Sequence, residues 1–388
     1  MSVETITLGC RLNYAESETI ARSAPAGEDW IVVNSCAVTN EAVRQTRQAI
    51  RRAHRQRPEP QILVTGCAAE LEPHSFAAMP GVSRVVGNAA KLNGLAANDV
   101  MPSSPAGFMG HVRSFVAIQT GCDHRCTFCS IWQARGPSRS YPFDAIRDAV
   151  SRELDRGARE IVLTGVDITD YAGGLGQLCQ QLLAAEPRLA RLRLSSLDSI
   201  EIDDALLALI ASETRLMPHF HLSLQAGDDL ILKRMKRRHS RSDSIRTVAR
   251  IRALRPDATI GADLIAGFPT ESEEMALNTL KLIEDCEITA AHIFPFSPRP
   301  DTPAARMPQL PREVVKARAA RLRASAATQR NRWLESLMGT VQPVLIENNG
   351  KGHSDNFAPI AIAEAQRGQH GPARIVSREG DLLQAAWA

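Results

Sequence analysis

The chain has 388 residues, 44% of them hydrophobic and 23% charged, with a net charge of +3, enough for two or three domains of ordinary globular composition. No apolar run nears the roughly 20 residues that span a bilayer, and Glu4, Arg11, Glu16 and Glu18 place charge where a secretory leader would be apolar; a membrane partner is excluded and the cytosol is the expected location. In that reducing compartment the eight cysteines read as ligands rather than disulfides.

The first hundred residues alternate helical patterns with short apolar runs at 5–8, 30–33 and 61–64 and a weaker one at 85–86. Unbroken β-branched runs suit strands buried on both faces of a parallel sheet, so the fold class is α/β and residues 1–97 are expected to form an open parallel-sheet α/β domain. Residues 98–111 carry two prolines, two serines and two glycines without periodicity and read as a linker. Six strand candidates follow, at 114–119, 160–164, 192–195, 219–224, 259–265 and 292–296, separated by helical patterns such as 145–156, 203–212, 242–254 and 271–286. Repeated β-α order implies right-handed parallel crossovers. Six units fall short of an eight-stranded closure, so a partial (β/α)6 barrel is expected over 112–338, with functional residues at the carboxyl ends of its strands. The basic stretch 312–337 is helical and either packs across that barrel or meets a polyanion. After Gly339, runs at 341–347 and 357–363 flank Asn348-Asn349-Gly350, a turn signal, and residues 339–388 read as a small β module.

Two cysteine groups carry chemistry. Cys122, Cys126 and Cys129 form C-x3-C-x2-C just after a strand, so one loop can aim three thiolates at one centre. Iron–sulfur cubes normally take four cysteines; three leave one iron open, and no fourth cysteine follows to complete a zinc knuckle. Cys10, Cys36 and Cys67 are dispersed, yet each lies one to three residues past an apolar run. In a parallel sheet those ends share one edge, where three thiolates can converge, whereas purely structural cysteines more often sit inside strands or helices. Gly9 and Gly66 allow the backbone close approach. Cys179 and Cys286 sit in helical patterns without partners and read as core residues.

With Phe128 before its last cysteine, GCDHRCTFC resembles the radical S-adenosylmethionine (SAM) signature. Together with TLGCRLNYAESE, NSCAVTNEAVRQTRQAIRRAHR and TGCAAE, it resembles the methylthiotransferases of that superfamily over nearly the whole chain. LTGVDIT, LRLSSLDSIEID, HFHLSLQAGDDLILKRMKRRHSR, GADLIAGFPTE and FPFSPRPDTPAARMPQ resemble most the branch that modifies N6-threonylcarbamoyladenosine (t6A) at position 37 beside the tRNA anticodon; Asp301 stands where that family commonly has glycine. The closing segment with GHSDNF is similar to the TRAM module, a small RNA-binding β-barrel. The resemblance implies two [4Fe–4S] clusters: one on Cys122, Cys126 and Cys129 that cleaves SAM, and an auxiliary one on Cys10, Cys36 and Cys67 that handles the transferred sulfur. It also implies a protein electron donor, leaves the sulfur donor open, and places SAM contacts near Phe128, Gly165, Asp167, Ser195, Ser223, Gln225, Asp263, Gly267 and Pro269.

Arg44, Arg47, Arg51 and Arg55 recur at helical spacing on one face. Such a run is usually a solvated face, but beside the auxiliary cysteines it reads as a phosphate surface for the anticodon stem-loop. Arg237 and Arg238 in the basic run 233–241, and Arg135 and Arg139 after the SAM-cluster motif, are further RNA candidates. His219 and His221 alternate with Phe220 on a strand, so at least one is expected to face the barrel interior. Within the family, isopentenyladenosine and a ribosomal-protein aspartate are the alternative substrates. From another class, a non-catalytic iron–sulfur protein that binds RNA or senses redox state would have no use for LTGVD, LSLQAGD and DLIAGFP.

Overall fold

A computed structural model describes residues 3–23, 29–92 and 111–388; of the expected linker 98–111, all but His111 lies outside the described residues. The four amino-terminal apolar runs become β1 (Val3–Thr7), β2 (Trp30–Ser35), β3 (Gln61–Gly66) and β4 (Val82–Val85), an all-parallel sheet in sequential order. β2 is buried throughout and β3 after its first residue, as strands covered on both faces must be. Register pairs Thr7 with Asn34 and Asn34 with Thr65, so the three strands end together. Over the sheet runs the helix Asn40–Gln56, capped where Thr39 Oγ1 accepts from Ala42 N at 3.1 Å. It buries Val43, Thr46, Ile50 and Ala53 and turns its arginine stripe outward.

The central strands are β5 (Arg113–Ala117), a short antiparallel pair of β6 (Gln119–Thr120) and β7 (Arg139–Ser140), then β8 (Glu160–Thr164), β9 (Leu192–Leu194), β10 (Ser196–Leu197), β11 (His219–Gln225), β12 (Thr259–Ala266) and β13 (Ala290–Pro295). Hydrogen bonding gives two parallel sheets, β5-β8-β9 and β10-β11-β12-β13. β9 and β10 are one strand position interrupted at Ser195, so the wall has six positions and two free edges, a partial barrel. Phe220, Leu222, Leu224, Ala262 and Leu264 point outward into the core shared with Val248, Ile251 and Leu282 of the surrounding helices. The inner face is the polar one, carrying Arg113, Glu160, Arg193, His221, Asp263 and His292. The basic helix Arg312–Ser336 packs across the barrel, with Ala319 and Leu322 in the core and Arg318 bonded to buried Glu271 at 2.8 Å. Asp301 adopts φ +62, the left-handed backbone that makes glycine the easier residue there.

The last segment closes a five-stranded barrel from β14 (Val341–Asn348), β15 (Lys351–Ser354), β16 (Pro359–Ala361), β17 (His370–Glu379) and β18 (Leu382–Trp387). Its 353–357 loop seals the floor of the central barrel. Phe357 stacks between His219 and His353, with centroids 5.0 and 4.5 Å away, and Arg193 and Arg113 lie 4.7 and 4.9 Å from its centroid. Thr259 Oγ1 donates to Asn356 O at 2.7 Å, and Arg191 pairs with Asp355. Beneath lies Glu160, wholly buried but ionised, because Arg193, Arg113 and Arg191 overcome the cost of its burial.

Candidate functional site

The loop 121–130 leaves the barrel top and is tied down from outside. Thr127 Oγ1 donates to Arg234 O at 2.7 Å, Thr127 N to Met235 O at 3.1 Å, and Ala304 N to Thr127 O at 3.0 Å. Phe128 seats the loop in an apolar pocket with Ile231, Leu232, Met235 and Phe268. Around the thiols, Cys122 Sγ lies 4.0 Å from Asp167 Oδ2, Cys126 Sγ 3.8 Å from Arg237 Nη1, and Cys129 Sγ accepts from Ile131 N at 3.3 Å. Each of the three is close enough for its charge to act on another. Burial, then the Asp167 carboxylate, pushes Cys122 up to about 12, and burial pushes Cys129 up to about 11. These are neutral thiols until a metal displaces their protons. His124, bonded to Asp167 at 2.8 Å and then to Glu201, has its pKa raised to about 10.

Cys10, Cys36 and Cys67 converge at the common edge of the amino-terminal sheet. A Cβ on Gly9 (φ +98) would stand 2.8 Å from Cys36 Sγ, and one on Gly66 (φ +92) 2.3 Å from Ser35 O; only glycine lets these two strand ends close on the thiols. Cys36 and Cys67 are buried and Cys10 reaches the surface. The charges of Cys10 and Cys67 both act on Cys36, whose pKa burial raises to about 12. The two triads are neighbours, since Cys67 packs in one cluster with Ile131 and Ala134, which follow Cys129. Arg135 spans them. It sits six residues after Cys129, donates from Nε to Cys67 Sγ at 3.3 Å, and bonds Glu16 at 2.8 and 3.0 Å and Asn13 Oδ1 at 2.7 Å. Lys91 Nζ completes the network at 2.5 Å from Glu16. Burial opposes the Glu16 charge, but Arg135 and Lys91 outweigh it and bring its pKa down to about 2.

Two RNA candidates are corrected. Arg135 is buried with its guanidinium committed to Glu16, Asn13 and Cys67. Arg237 has 8% of its side chain exposed and binds Asp198 and Ser223 O, each at 2.9 Å, under Cys126. Neither offers a donor to a phosphate, and neither had a local signal, since Glu16 and Arg135 are 119 positions apart. Arg44 pairs with Glu41, and Arg47 with Glu72 and Ser75, whereas Arg51 and Arg55 extend into solvent without an ion pair among the described residues. Arg238 is half-exposed and paired with Glu201, and Arg139 is half-buried with Nε lacking a partner among the described residues. Arg299 of the SPRP motif is buried against Asn40 and Glu72, so it joins the two sheets rather than facing RNA.

The expected SAM contacts separate by place. Gly165 lies against Gln119 O, and Gln119 Oε1 accepts from the Val166 and Asp167 amides at 3.0 and 2.9 Å, fixing the turn after β8. Ser195 interrupts the wall, with its buried Oγ lacking a partner among the described residues, as does Ser130 Oγ beside Cys129. Ser223 Oγ meets Ser196 Oγ at 2.8 Å, and Gln225, at a register break in β11, adopts φ +65. Such a backbone outlier is held by its surroundings and is common at ligand sites. Asp263 sits three residues short of the end of β12, facing His221 and His292 rather than the cysteine loop. Gly267 abuts Val315 of the long helix, and Pro269 lies in the following turn. A set of three thiols, with a buried hydroxyl on the residue after Cys129 that has no partner among the described residues, fits a metal–sulfur cluster and a polar ligand upon it.

Residues 116–283 match the Radical SAM superfamily, and residues 2–87 match a family described as Uncharacterized protein family UPF0004. The chain is 44% identical over 382 residues to the threonylcarbamoyladenosine tRNA methylthiotransferase MtaB of Rickettsia prowazekii, covering 92% of this chain and 91% of that one. It is 33% identical to the MtaB of Thermotoga maritima and 33% to the tRNA-2-methylthio-N(6)-dimethylallyladenosine synthase of Erythrobacter litoralis, covering 89% of this chain and 86% of the relative in both cases. Among solved structures, the radical SAM methyltransferase TsrM of Kitasatospora setae with cobalamin and a [4Fe–4S] cluster bound is similar at a TM-score of 0.55 and 14% identity, over 74% of this chain and 67% of that one, a likeness of fold alone. No helix among the described residues is long and apolar enough to cross a membrane.

Proposed function

The chain belongs to the radical SAM methylthiotransferases, and we propose that it places a methylthio group on C2 of t6A at position 37 of tRNA, in the cytosol, with electrons from a protein donor. The members of this family are enzymes that transfer alkylthio groups, and their cofactors are SAM and [4Fe–4S] clusters. In this reading Cys122, Cys126 and Cys129 hold the cluster that binds SAM, and Cys10, Cys36 and Cys67 hold the auxiliary one. The observation that carries it is the meeting of two thiol triads, joined where Arg135, six residues after Cys129, donates to Cys67 Sγ at 3.3 Å.

SAM on a reduced cluster supplies a carbon radical able to take hydrogen from an unreactive C–H bond. The protein's own residues position and enclose. Ser195 and Ser130, whose buried hydroxyls have no partner among the described residues, would meet the cofactor's polar groups when it is bound. Arg237 ties Cys126 to the end of β11 through Ser223 O. Arg135 and Glu16 join the two triads through a hydrogen-bonded network that fixes their relative placement. A C2–H is not acidic, so neither His219 nor His221 is assigned a base. The exposed Arg51 and Arg55 lie on the helix that starts four residues after Cys36 and serve as phosphate contacts for the anticodon loop.

The test is mass spectrometry of tRNA nucleosides from a strain lacking the gene. The 2-methylthio derivative of t6A should vanish, with t6A accumulating. The likeness to the Erythrobacter synthase makes dimethylallyladenosine the second reading. Loss of its methylthio product, with that of t6A intact, would replace the first.

A further inference from the structure

Arg11 directly follows Cys10, at the first turn of the helix Arg11–Ser23. Its guanidinium carbon lies 5.8 Å from the Phe115 ring centroid, on the inner side of β5. It is near enough to Arg113, Arg193, Glu160 and Asp263 to feel their charges. The other inner-wall arginines are paired: Arg113 with Glu160 and Glu347, and Arg193 with Glu160. Arg11 has no hydrogen bond or ion pair among the described residues. Arg11 is half-buried, and its guanidinium is a cation at any ordinary pH with no counter-ion among the described residues. A partly enclosed, unpaired guanidinium is a ready partner for a carboxylate.

Alongside, His221 Nε2 and His292 Nδ1 stand 3.0 and 3.1 Å from one Asp263 oxygen, with their rings 4.6 Å apart. β13 is an edge strand among the described residues and His292 has 62% of its side chain exposed, so this group is open to solvent. The His221–Asp263–His292 group is compact enough for a metal ion, but Arg11, unlike Arg113 and Arg193, brings a positive charge with no ion-pair partner among the described residues, and that charge calls for an anion.

We propose that Arg11 binds the substrate's carboxylate. The threonyl group of t6A keeps its free α-carboxylate, and this supplies the counter-ion that Arg11 lacks, with His221, Asp263 and His292 as the polar wall beside it. The inference rests on the t6A reading, since a dimethylallyl substituent has no charge to offer. It also gives the placement of Arg11 a purpose. The turn that carries Cys10 reads the substituent on the base, which fixes the base relative to the auxiliary thiols.

Anticodon stem-loops carrying t6A, or t6A with its carboxylate capped as a methyl ester, are titrated into the anaerobically purified holoenzyme without reductant, and binding is followed by fluorescence anisotropy. Wild type, Arg11→Lys and Arg11→Gln are compared, and iron and sulfide are quantified in each because Cys10 is adjacent. Wild type should prefer the acid over the ester by about ten- to a hundredfold, as a charge-assisted pair implies. Arg11→Gln should bind both alike, and Arg11→Lys should keep part of the preference. An Arg11→Gln protein with full iron content and the wild-type preference overturns the assignment. If Arg11→Gln loses iron, the ester comparison on wild type decides: no preference there, in an enzyme that converts t6A, overturns the role of Arg11 and leaves the function standing. Conversion of the dimethylallyl loop but not the t6A loop ends both.

Discussion

The two thiol triads reach similar arrangements by opposite routes. Cys122, Cys126 and Cys129 lie on one loop, and the surrounding chain holds that loop through Thr127 and Phe128. Cys10, Cys36 and Cys67 are brought together by the register of three parallel strands and by two glycines that allow the strand ends to touch. A local motif needs only anchoring, whereas a dispersed one needs the whole sheet. Damage to the sheet should therefore reach the auxiliary site first.

The largest expected effect separates the two sites chemically. Cys126→Ala and Cys36→Ala should each reduce methylthio transfer to background and iron content by about half. Only Cys126→Ala should also abolish formation of 5′-deoxyadenosine from SAM, measured by chromatography after reduction. Loss of SAM cleavage in Cys36→Ala as well would mean that the triads do not act separately.

Next comes the network joining them. Arg135→Ala leaves Glu16 and Lys91 buried with an incomplete set of partners and should cost about 3–5 kcal/mol in denaturant unfolding. Combining it with Glu16→Gln should cost less than the sum of the two single changes. Acid should act on the same group. The Glu16 pKa, about 2, lies below the ordinary carboxylate range, so its contribution is complete above that range and is lost as the pH falls toward 2. Acid titration of stability should be steeper in wild type than in Glu16→Gln over that window.

The smallest effect belongs to the surface. Neutralising Arg51 or Arg55 should weaken tRNA binding a few-fold and reduce the salt slope by about one per contact. Arg44→Gln and Arg47→Gln should do less, since Glu41 and Glu72 already occupy them. Equal slopes for all four would remove the distinction between paired and unpaired arginines.

Much of this was legible because it depends on local pattern. Apolar runs marked the strands, and their common ends marked Cys10, Cys36 and Cys67. The 370–387 hairpin was harder to see, because β17 is exposed at alternate positions and begins His370-Gly371-Pro372. Arg135 and Arg237 looked like surface arginines because the carboxylates and thiols that hold them are remote in sequence. Charge that is paired across the fold has no period. The polar lining of the barrel was hidden similarly: alternation in β11 showed that His219 and His221 share a face, but their partners Thr259 and Asp263 come from the next strand.

The floor of the central barrel has a consequence for biosynthesis. Glu347, Asp355 and Phe357 belong to a segment that leaves the ribosome after every strand of the wall it completes. Until then Arg191 lacks its carboxylate from Asp355, and the faces of His219 and Arg193 are bare. The nascent barrel must wait with charged groups uncovered at its base, and the stretch 347–357 is the latch whose arrival ends that vulnerable interval.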